Sequence, residues 1–344
     1  MRKQVEIICA IIGTLIGAGF ASGQEIFQFF YAHGMQKGMV GIIISNVMIG
    51  IILFQIIELI KKYKIIDYDT FLKEIFNENK LILTGYEIIT NLILLITFFI
   101  MISAFGECFK EELKFSKIIG CITLIILFCL VTRKDISRFL NVNRVIVPIM
   151  ILVIIVVGIL NLFESRQLEN FINYEKRGNN FIVDAVLYSS YNIVLLIPTI
   201  ILLSRNIEKR AEMFSISLYI TLISMILTFS IYFILKNIDM DLNNIEIPVL
   251  YLINQKYKII KPIYVIVLLS SIFTTTVAMG RNFLDNMRCD EKDYKKSALK
   301  MGIIALCFSG IKFSKLINAI YPIIGYLGMY EIIKVIIKNR RSIP

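Results

Sequence analysis

Long apolar runs separated by short polar stretches extend along almost the whole chain. Most of these runs reach the roughly 18 residues that a helix needs to cross a bilayer. We therefore predict an all-α polytopic membrane protein, a single transmembrane domain over 1–344, with ten membrane-spanning helices. The predicted spans are 4–32, 38–60, 81–105, 116–131, 144–163, 181–203, 212–235, 259–283, 297–312 and 315–337.

Composition supports this interpretation and excludes a soluble globular domain. Hydrophobic residues make up 57% of the chain and charged residues 18%, and the mean hydropathy is +0.75. Soluble domains of this length carry more charge and less apolar surface. The bilayer is therefore an expected partner of this chain.

Two stretches between the spans are neither apolar enough to cross nor polar enough to be ordinary linkers. The stretch 65–80 has the pattern of an amphipathic helix lying on the cytoplasmic membrane surface. The stretch 236–258 contains a half-apolar segment that favours a helix or hairpin folded over the outer mouth, so we predict an outer lid segment there.

The first span contains four glycines within eleven positions, namely Gly13, Gly17, Gly19 and Gly23. Each glycine costs an interior helix about 1 kcal/mol relative to alanine, so this helix is easily broken. Broken backbone at membrane depth must face protein, water or a bound solute, because lipid offers no hydrogen bonds. The alternative is close helix packing, since the same glycines form two GxxxG patterns.

Polar side chains next to these glycines favour a site over simple packing. Ser22 and Gln24 flank Gly23, and together with Phe20 and the glycines they are candidate solute-binding residues. Glu25 follows, and an exposed carboxylate at this depth would be costly. We expect Glu25 to carry a proton or to pair with a substrate amine, or else to reach the interface or cap the next half-helix.

The sixth span contains a second polar interruption. Tyr188, Ser189, Tyr191 and Asn192 lie in the middle of an apolar run, and Pro198 follows, which removes a helical hydrogen bond. Five spans per half give the halves opposite orientations, so we predict an inverted repeat of 4–163 and 181–338. Two discontinuous helices, the first and the sixth, at corresponding positions are typical of a transporter substrate site.

The eighth span concentrates hydroxyl groups in an apolar helix. Ser271, Thr274 and Thr275 share one helix face by their three- and four-residue spacing. Opposed to the free carbonyls of a broken helix, they would offer hard oxygen ligands to a small cation such as sodium. The alternative is that each hydroxyl bonds back to its own helix, which is common in membranes.

Charge and cysteine content limit the other classes of function. The net charge of +11 resides mostly in loops on one side of the membrane, which indicates orientation with both termini cytoplasmic and not nucleic-acid binding. The single histidine, His33, and the six dispersed cysteines offer no transition-metal cluster. We also find no nucleophile–base pair, so an enzyme is not expected, nor a cofactor other than a coupling sodium ion.

The first-span motif Ile-Gly-Ala-Gly-Phe-Ala-Ser-Gly-Gln-Glu at 16–25, followed by Phe29-Phe30 and Gly34, resembles the signature of the YkvI-like family of bacterial inner-membrane proteins. The run 188–192 resembles that family's sixth helix. The family is similar to the amino acid–polyamine–organocation transporters, which have the five-plus-five inverted-repeat fold of the sodium-coupled amino acid symporters. The resemblance therefore implies a location in the bacterial cytoplasmic membrane.

The same resemblance implies two sites. Carbonyls of Gly13 and Ile16 with hydroxyls of Thr274 and Thr275 would match a sodium site between helices one and eight. Residues 17–23 with 188–192 would match the substrate pocket. The sixth span departs from the sodium symporters because its interruption contains no glycine.

Two functions from different classes follow. The first is a secondary active transporter, coupling sodium or a proton to symport of a small amino acid-like or other zwitterionic solute. The second is a ligand-sensing receptor or channel subunit on the same fold, like the spore-germinant receptor B subunits. A sensor needs the solute pocket but no intact cation site.

Overall fold

A computed structural model of the protein describes residues 2–76, 80–131, 136–162, 180–287 and 293–340. The regular structure in those ranges is entirely helical. The helices are α1 (Arg2–Leu15), α2 (Ala18–Ser22), α3 (Gln24–Phe29), α4 (Met35–Tyr63), α5 (Tyr68–Phe76), α6 (Lys80–Glu112), α7 (Lys117–Val131), α8 (Ile136–Leu162), α9 (Phe181–Ser204), α10 (Arg210–Lys236), α11 (Pro248–Lys256), α12 (Lys261–Asn286), α13 (Tyr294–Phe308) and α14 (Phe313–Arg340).

Each predicted span overlaps helix within the described residues, although α13 ends at Phe308, before the predicted end at 312. By length and composition, α4, α6, α9, α10, α12 and α14 are apolar enough to cross a membrane, and shorter apolar segments lie in α1, α7 and α8. The prediction of a helical membrane protein is confirmed. Ten crossings and the inverted repeat stay predictions, as does the orientation, which also uses basic residues of 132–135 and 288–292 outside the described ranges.

The predicted break in the first span is confirmed, and there are two breaks instead of one. The first separates α1 from α2 at Ile16 and Gly17, and the second separates α2 from α3 at Gly23. Gly23 has φ +89°, a left-handed conformation that costs glycine little and other residues more. The span is therefore three short helices in series.

The predicted break in the sixth span is wrong, because α9 runs without interruption from Phe181 to Ser204. Two of its polar side chains, Ser189 and Asn192, bond back to their own helix. Ser189 Oγ donates to the Val186 carbonyl at 2.9 Å, and Asn192 Nδ2 donates to the Tyr188 carbonyl at 2.9 Å. Without a glycine, one proline does not unwind a helix that packs between α4 and α14.

The broken span lies at the centre of the helix packing. α1 contacts α8, α9 and α10; α2 contacts α11 and α12; and α3 contacts α9, α10 and α14. Around it, α6 and α8 pack against α12, and α4 packs against α10. Backbone groups freed at the breaks therefore face protein, as the bilayer requires.

The stretch 65–80 contains α5, whose Phe71, Leu72 and Ile75 are buried. The helix is preceded by Asp67, whose carboxylate accepts hydrogen bonds from the Thr70 amide at 2.7 Å and hydroxyl at 2.6 Å. These bonds hold the pKa of Asp67 below its usual value. The position of α5 on the cytoplasmic surface stays a prediction, and 77–79 lie outside the described residues.

Candidate functional site

The first break lies against the middle of α12. The Gly17 amide bonds the Leu15 carbonyl at 3.0 Å instead of the Gly13 carbonyl one turn earlier. Gly17 itself is extended, with φ −81° and ψ −174°. At this break the Ile16 carbonyl accepts a 2.7 Å hydrogen bond from the Ser271 hydroxyl. A side chain of α12 thus supplies a partner to backbone that has left the helix.

The hydroxyls of α12 are not equivalent. Thr275 Oγ1 is buried and has no hydrogen-bond partner among the described residues, and a Cβ on Gly17 would lie 3.9 Å from it. Thr274 Oγ1 instead donates to the Ser271 carbonyl of its own helix at 3.0 Å. Of the three predicted hydroxyls, Ser271 and Thr275 therefore adjoin the break through their oxygens.

This arrangement fits a small hard cation. A buried hydroxyl oxygen without a partner is costly unless something binds it. Thr275 Oγ1, the Ser271 hydroxyl and the Ile16 carbonyl are neutral oxygen donors beside the same break. Neutral oxygens suit hard cations and not soft metals. Gly13 lies one turn earlier, inside α1.

The second break also takes a hydrogen bond from α12. Gly23 interrupts the helix, and the Ala21 carbonyl accepts a hydrogen bond of 2.5 Å from the Tyr264 hydroxyl. Tyr264 and Ser271 are seven residues apart and so lie on one face of α12. One helix face therefore supplies donors at both breaks.

The side chains of two predicted solute-binding residues, Ser22 and Gln24, already form hydrogen bonds within the protein. Ser22 Oγ donates to the Gly19 carbonyl at 2.9 Å and accepts from the Gln24 amide at 3.3 Å. Gln24 Nε2 donates to the carbonyls of Ile245 and Glu246 at 2.5 and 3.2 Å. Gln24 thus ties the broken helix to the segment 236–258, whose α11 packs on α2; the outer position of that segment stays a prediction.

Glu25 is the charged residue at the centre of this region, and it is only 3% exposed. Its carboxylate accepts hydrogen bonds from the Tyr191 hydroxyl and from the Phe20 amide. It also fills the space beside Gly19, where a Cβ would overlap it. No ion pair to Glu25 is found among the described residues. A buried carboxylate without a cation is unstable, so this position suits a proton or an ammonium group.

Aromatic rings surround the Glu25 carboxylate on the side of α9 and α14. The ring of Tyr191 lies 5.4 Å from Tyr188, 5.6 Å from Phe29 and 4.9 Å from Tyr321, centre to centre. All four side chains are buried. Aromatic faces attract cations, which adds to the preference for an ammonium group.

Phe29 and Tyr321 were not among the predicted site residues. Phe29 is four residues after Glu25, so a helical reading of 25–29 places both on one face. That signal was present in the sequence. Tyr321 belongs to α14, and only the packing of α14 against α9 and α3 brings it to Tyr191.

Three other predicted residues make no side-chain hydrogen bond to the Glu25 carboxylate in the part of the chain that the structure describes. Ser189 faces α4, where its hydroxyl contacts Met48 Sδ at 3.8 Å. Asn192 is buried, but its amide is bonded to its own helix. Phe20 is buried, and the contact that links it to Glu25 is made by its backbone amide.

Two curated relatives match almost the whole chain. It is 25% identical over 334 residues to the membrane protein YkvI of Bacillus subtilis (strain 168), covering 94% of this chain and 92% of that protein. It is 23% identical over 337 residues to the protein YyaD of the same strain, covering 96% of each. No protein-family model matches the chain.

Solved structures of a transporter have the same fold. Two crystal structures of the Eremococcus coleocola manganese transporter, one with an aromatic bis-isothiourea compound and one of a mutant, each superpose with a TM-score of 0.61. Each alignment covers 99% of this chain and 85% of the transporter at 12% identity, which shows the fold alone. Within the described ranges, no three His, Cys, Asp or Glu side chains are grouped so that they could hold a metal ion.

These findings agree with the resemblance indicated by the first-span motif. The relatives extend over both halves of the chain, and the transporter superposes on nearly all of it. The chain is therefore similar along nearly its whole length to the membrane protein YkvI and to the protein YyaD of Bacillus subtilis, and it shares its fold with the Eremococcus coleocola manganese transporter.

Proposed function

We propose that the protein is a secondary active transporter that couples sodium or a proton to symport of a small amino acid-like or other zwitterionic solute. The observation that carries this proposal is the oxygen cluster at the first break. The Ile16 carbonyl, the Ser271 hydroxyl and the unpartnered Thr275 hydroxyl lie where the broken helix meets the intact helix α12.

The solute site is proposed around Glu25. The ammonium group of the solute would pair with the Glu25 carboxylate, and the rings of Phe29, Tyr191 and Tyr321 would pack on its apolar part. Burial of the carboxylate makes pairing favourable, because the unpaired charge costs more in a dry site than in water. When no solute is bound, a proton on Glu25 would neutralise the same group.

Coupling of the cation to solute transport would follow from different affinities of the cation for the two arrangements of the transporter. A cation held between the break and α12 favours whichever arrangement brings Ile16 and Thr275 close together. The cation would bind best to the outward-open arrangement, and its gradient would then drive solute entry. Because α9 is continuous, the amides around residue 192 belong to helix interior and are not available to the solute carboxylate.

The first test is a thermal-shift screen of purified protein against the proteinogenic amino acids, each in sodium chloride and in choline chloride. A solute that binds the folded state raises the unfolding temperature, and a coupled cation raises it further. We expect one class of amino acids to give a shift that depends on sodium or on pH. A shift that depends on neither would contradict symport and favour the sensor function.

The sodium form of the proposal predicts a specific effect of Thr275→Val. This change removes an unpartnered hydroxyl and keeps the volume, so stability without sodium should be unchanged or slightly higher. The sodium-dependent part of the thermal shift should disappear. Thr276→Val is the matched control, because Thr276 Oγ1 donates a 2.7 Å hydrogen bond to the Ile272 carbonyl of its own helix. Equal loss in both variants would contradict the sodium site.

A further inference from the structure

A separate cavity of about 720 Å³ lies between α4, α10 and α14, away from the broken helix. One part of its lining is apolar and includes Val47, Ile51, Phe54 and Leu218. Its other end carries basic side chains where α4 ends, α10 begins and α14 ends: Lys62, Arg210 and Arg340. An apolar cavity with one basic end is amphipathic along its length.

The apolar walls of this cavity open toward the surface that faces lipid. Ile51 is 54% exposed and Phe214, on the opposite wall, is 60% exposed. Both helices are apolar enough to cross the membrane. In a bilayer such a surface is covered by acyl chains, so hydrocarbon is the occupant that the environment itself supplies.

The basic end of the cavity favours a lipid with a negatively charged headgroup. Arg210 extends along the cavity wall, with its guanidinium 5.7 Å from the centre of the Phe54 ring and 3.0 Å from Glu58 Oε1. Three basic residues and one acidic residue, Glu58, line this end of the cavity, so the lining as a whole carries net positive charge, which complements a phosphate. The distribution of basic residues predicts this end to be cytoplasmic, where anionic lipids attract Lys and Arg.

Polar groups without hydrogen-bond partners among the described residues also line the cavity. Ser217 lines the cavity, is 4% exposed, and its hydroxyl has no hydrogen-bond partner among the described residues. The same holds for Gln55 Oε1, although the Gln55 carbonyl accepts from Asn339 Nδ2 at 3.0 Å. The ester carbonyls of a phospholipid accept hydrogen bonds, so a bound lipid would supply the Ser217 hydroxyl with a partner.

We propose that this cavity is a binding site for one anionic phospholipid, with an acyl chain along α4 and α10 and the phosphate at Lys62, Arg210 and Arg340. The site is independent of the proposed transport function, because it shares no residue with the region around Glu25. Its ligand is a bilayer lipid and not a transported solute.

Native mass spectrometry of the detergent-purified protein titrated with phosphatidylglycerol or phosphatidylcholine tests the proposal. We expect one phosphatidylglycerol to bind at least about tenfold more tightly than phosphatidylcholine. Lys62→Gln with Arg210→Gln should remove that preference. Lys295→Gln with Lys300→Gln on α13 makes the same charge change outside the cavity and should preserve it.

Two results of the lipid titration would overturn the proposal. One is equal binding of the two lipids by the unmodified protein, which would indicate a hydrocarbon groove without headgroup selection. The other is an equal loss of preference in both double variants, which would indicate general attraction by net charge. Inorganic phosphate is added as a third ligand. We expect it to compete weakly, and displacement of lipid by millimolar phosphate would indicate an anion site instead.

Discussion

Glu25→Gln should abolish solute binding while the protein stays folded. Glutamine keeps the volume of the side chain and can still accept a hydrogen bond from the Tyr191 hydroxyl. It cannot pair with an ammonium group or carry the coupling proton. Loss of one partner of a buried charge pair costs about 2–5 kcal/mol, so apparent solute affinity should fall by about thirtyfold or more.

The unfolding temperature of Glu25→Gln without solute should be unchanged or higher, because a buried carboxylate is replaced by a neutral group. Glu331→Gln is the matched control. Glu331 is 1% exposed on α14, and its carboxylate accepts from the Tyr68 hydroxyl of α5 at 3.3 Å. It is a buried carboxylate outside the proposed site. A similar loss of the solute-induced shift in both variants would contradict a specific role for Glu25.

Gly19→Ala should have nearly the same functional effect as Glu25→Gln. It would displace the Glu25 carboxylate, whereas Glu25→Gln removes its charge. A Cβ at residue 19 would overlap the Glu25 carboxylate and approach Glu25 Cγ to 2.8 Å. The glutamate side chain is flexible and can move aside, so the cost in folding free energy should be within the 1–3 kcal/mol typical of overpacking. Moving aside separates the carboxylate from the Tyr191 hydroxyl and the Phe20 amide, and solute binding should be lost.

Gly17→Ala is the control for this prediction, because it changes the same residue type in the same motif. The nearest side-chain atom to a Cβ at residue 17 is Thr275 Cγ2 at 3.8 Å, an ordinary contact. The backbone angles of Gly17 are also accessible to alanine. Solute binding should therefore survive in Gly17→Ala. Circular dichroism and thermal unfolding check the fold of both variants, and loss of binding in both would contradict the steric explanation.

The error in the sixth span shows the limit of local patterns. Hydroxyls, an amide and a proline within an apolar run resemble the surroundings of a break, but Ser189 and Asn192 find partners within their own helix. The helix propensity of residues 181–204 resists unwinding, because the run contains no glycine. Packing of α9 between α4 and α14 adds to this resistance.

Sequence alone determined the features that depend on residues close together along the chain. Apolar runs are set by composition, and the prediction of one break in the first span follows from glycines whose cost to a helix is local. The motif at 16–25 was sufficient to indicate the relatives. The second break, at Gly23, required the structure, although its cause, a left-handed glycine, is equally local.

Tertiary structure decided which polar groups meet across distant elements. Ser271, Thr274 and Thr275 share a face by spacing, but only the register of α12 against the first break separates Ser271 and Thr275 from Thr274. In the same way, the Gln24 amide donates to the Ile245 carbonyl in the segment 236–258, and the Tyr321 ring packs on the Tyr191 ring. Helical periodicity specifies a face of each helix, whereas hydrogen bonds between helices also need their relative depth and rotation, which are set by packing of the whole molecule.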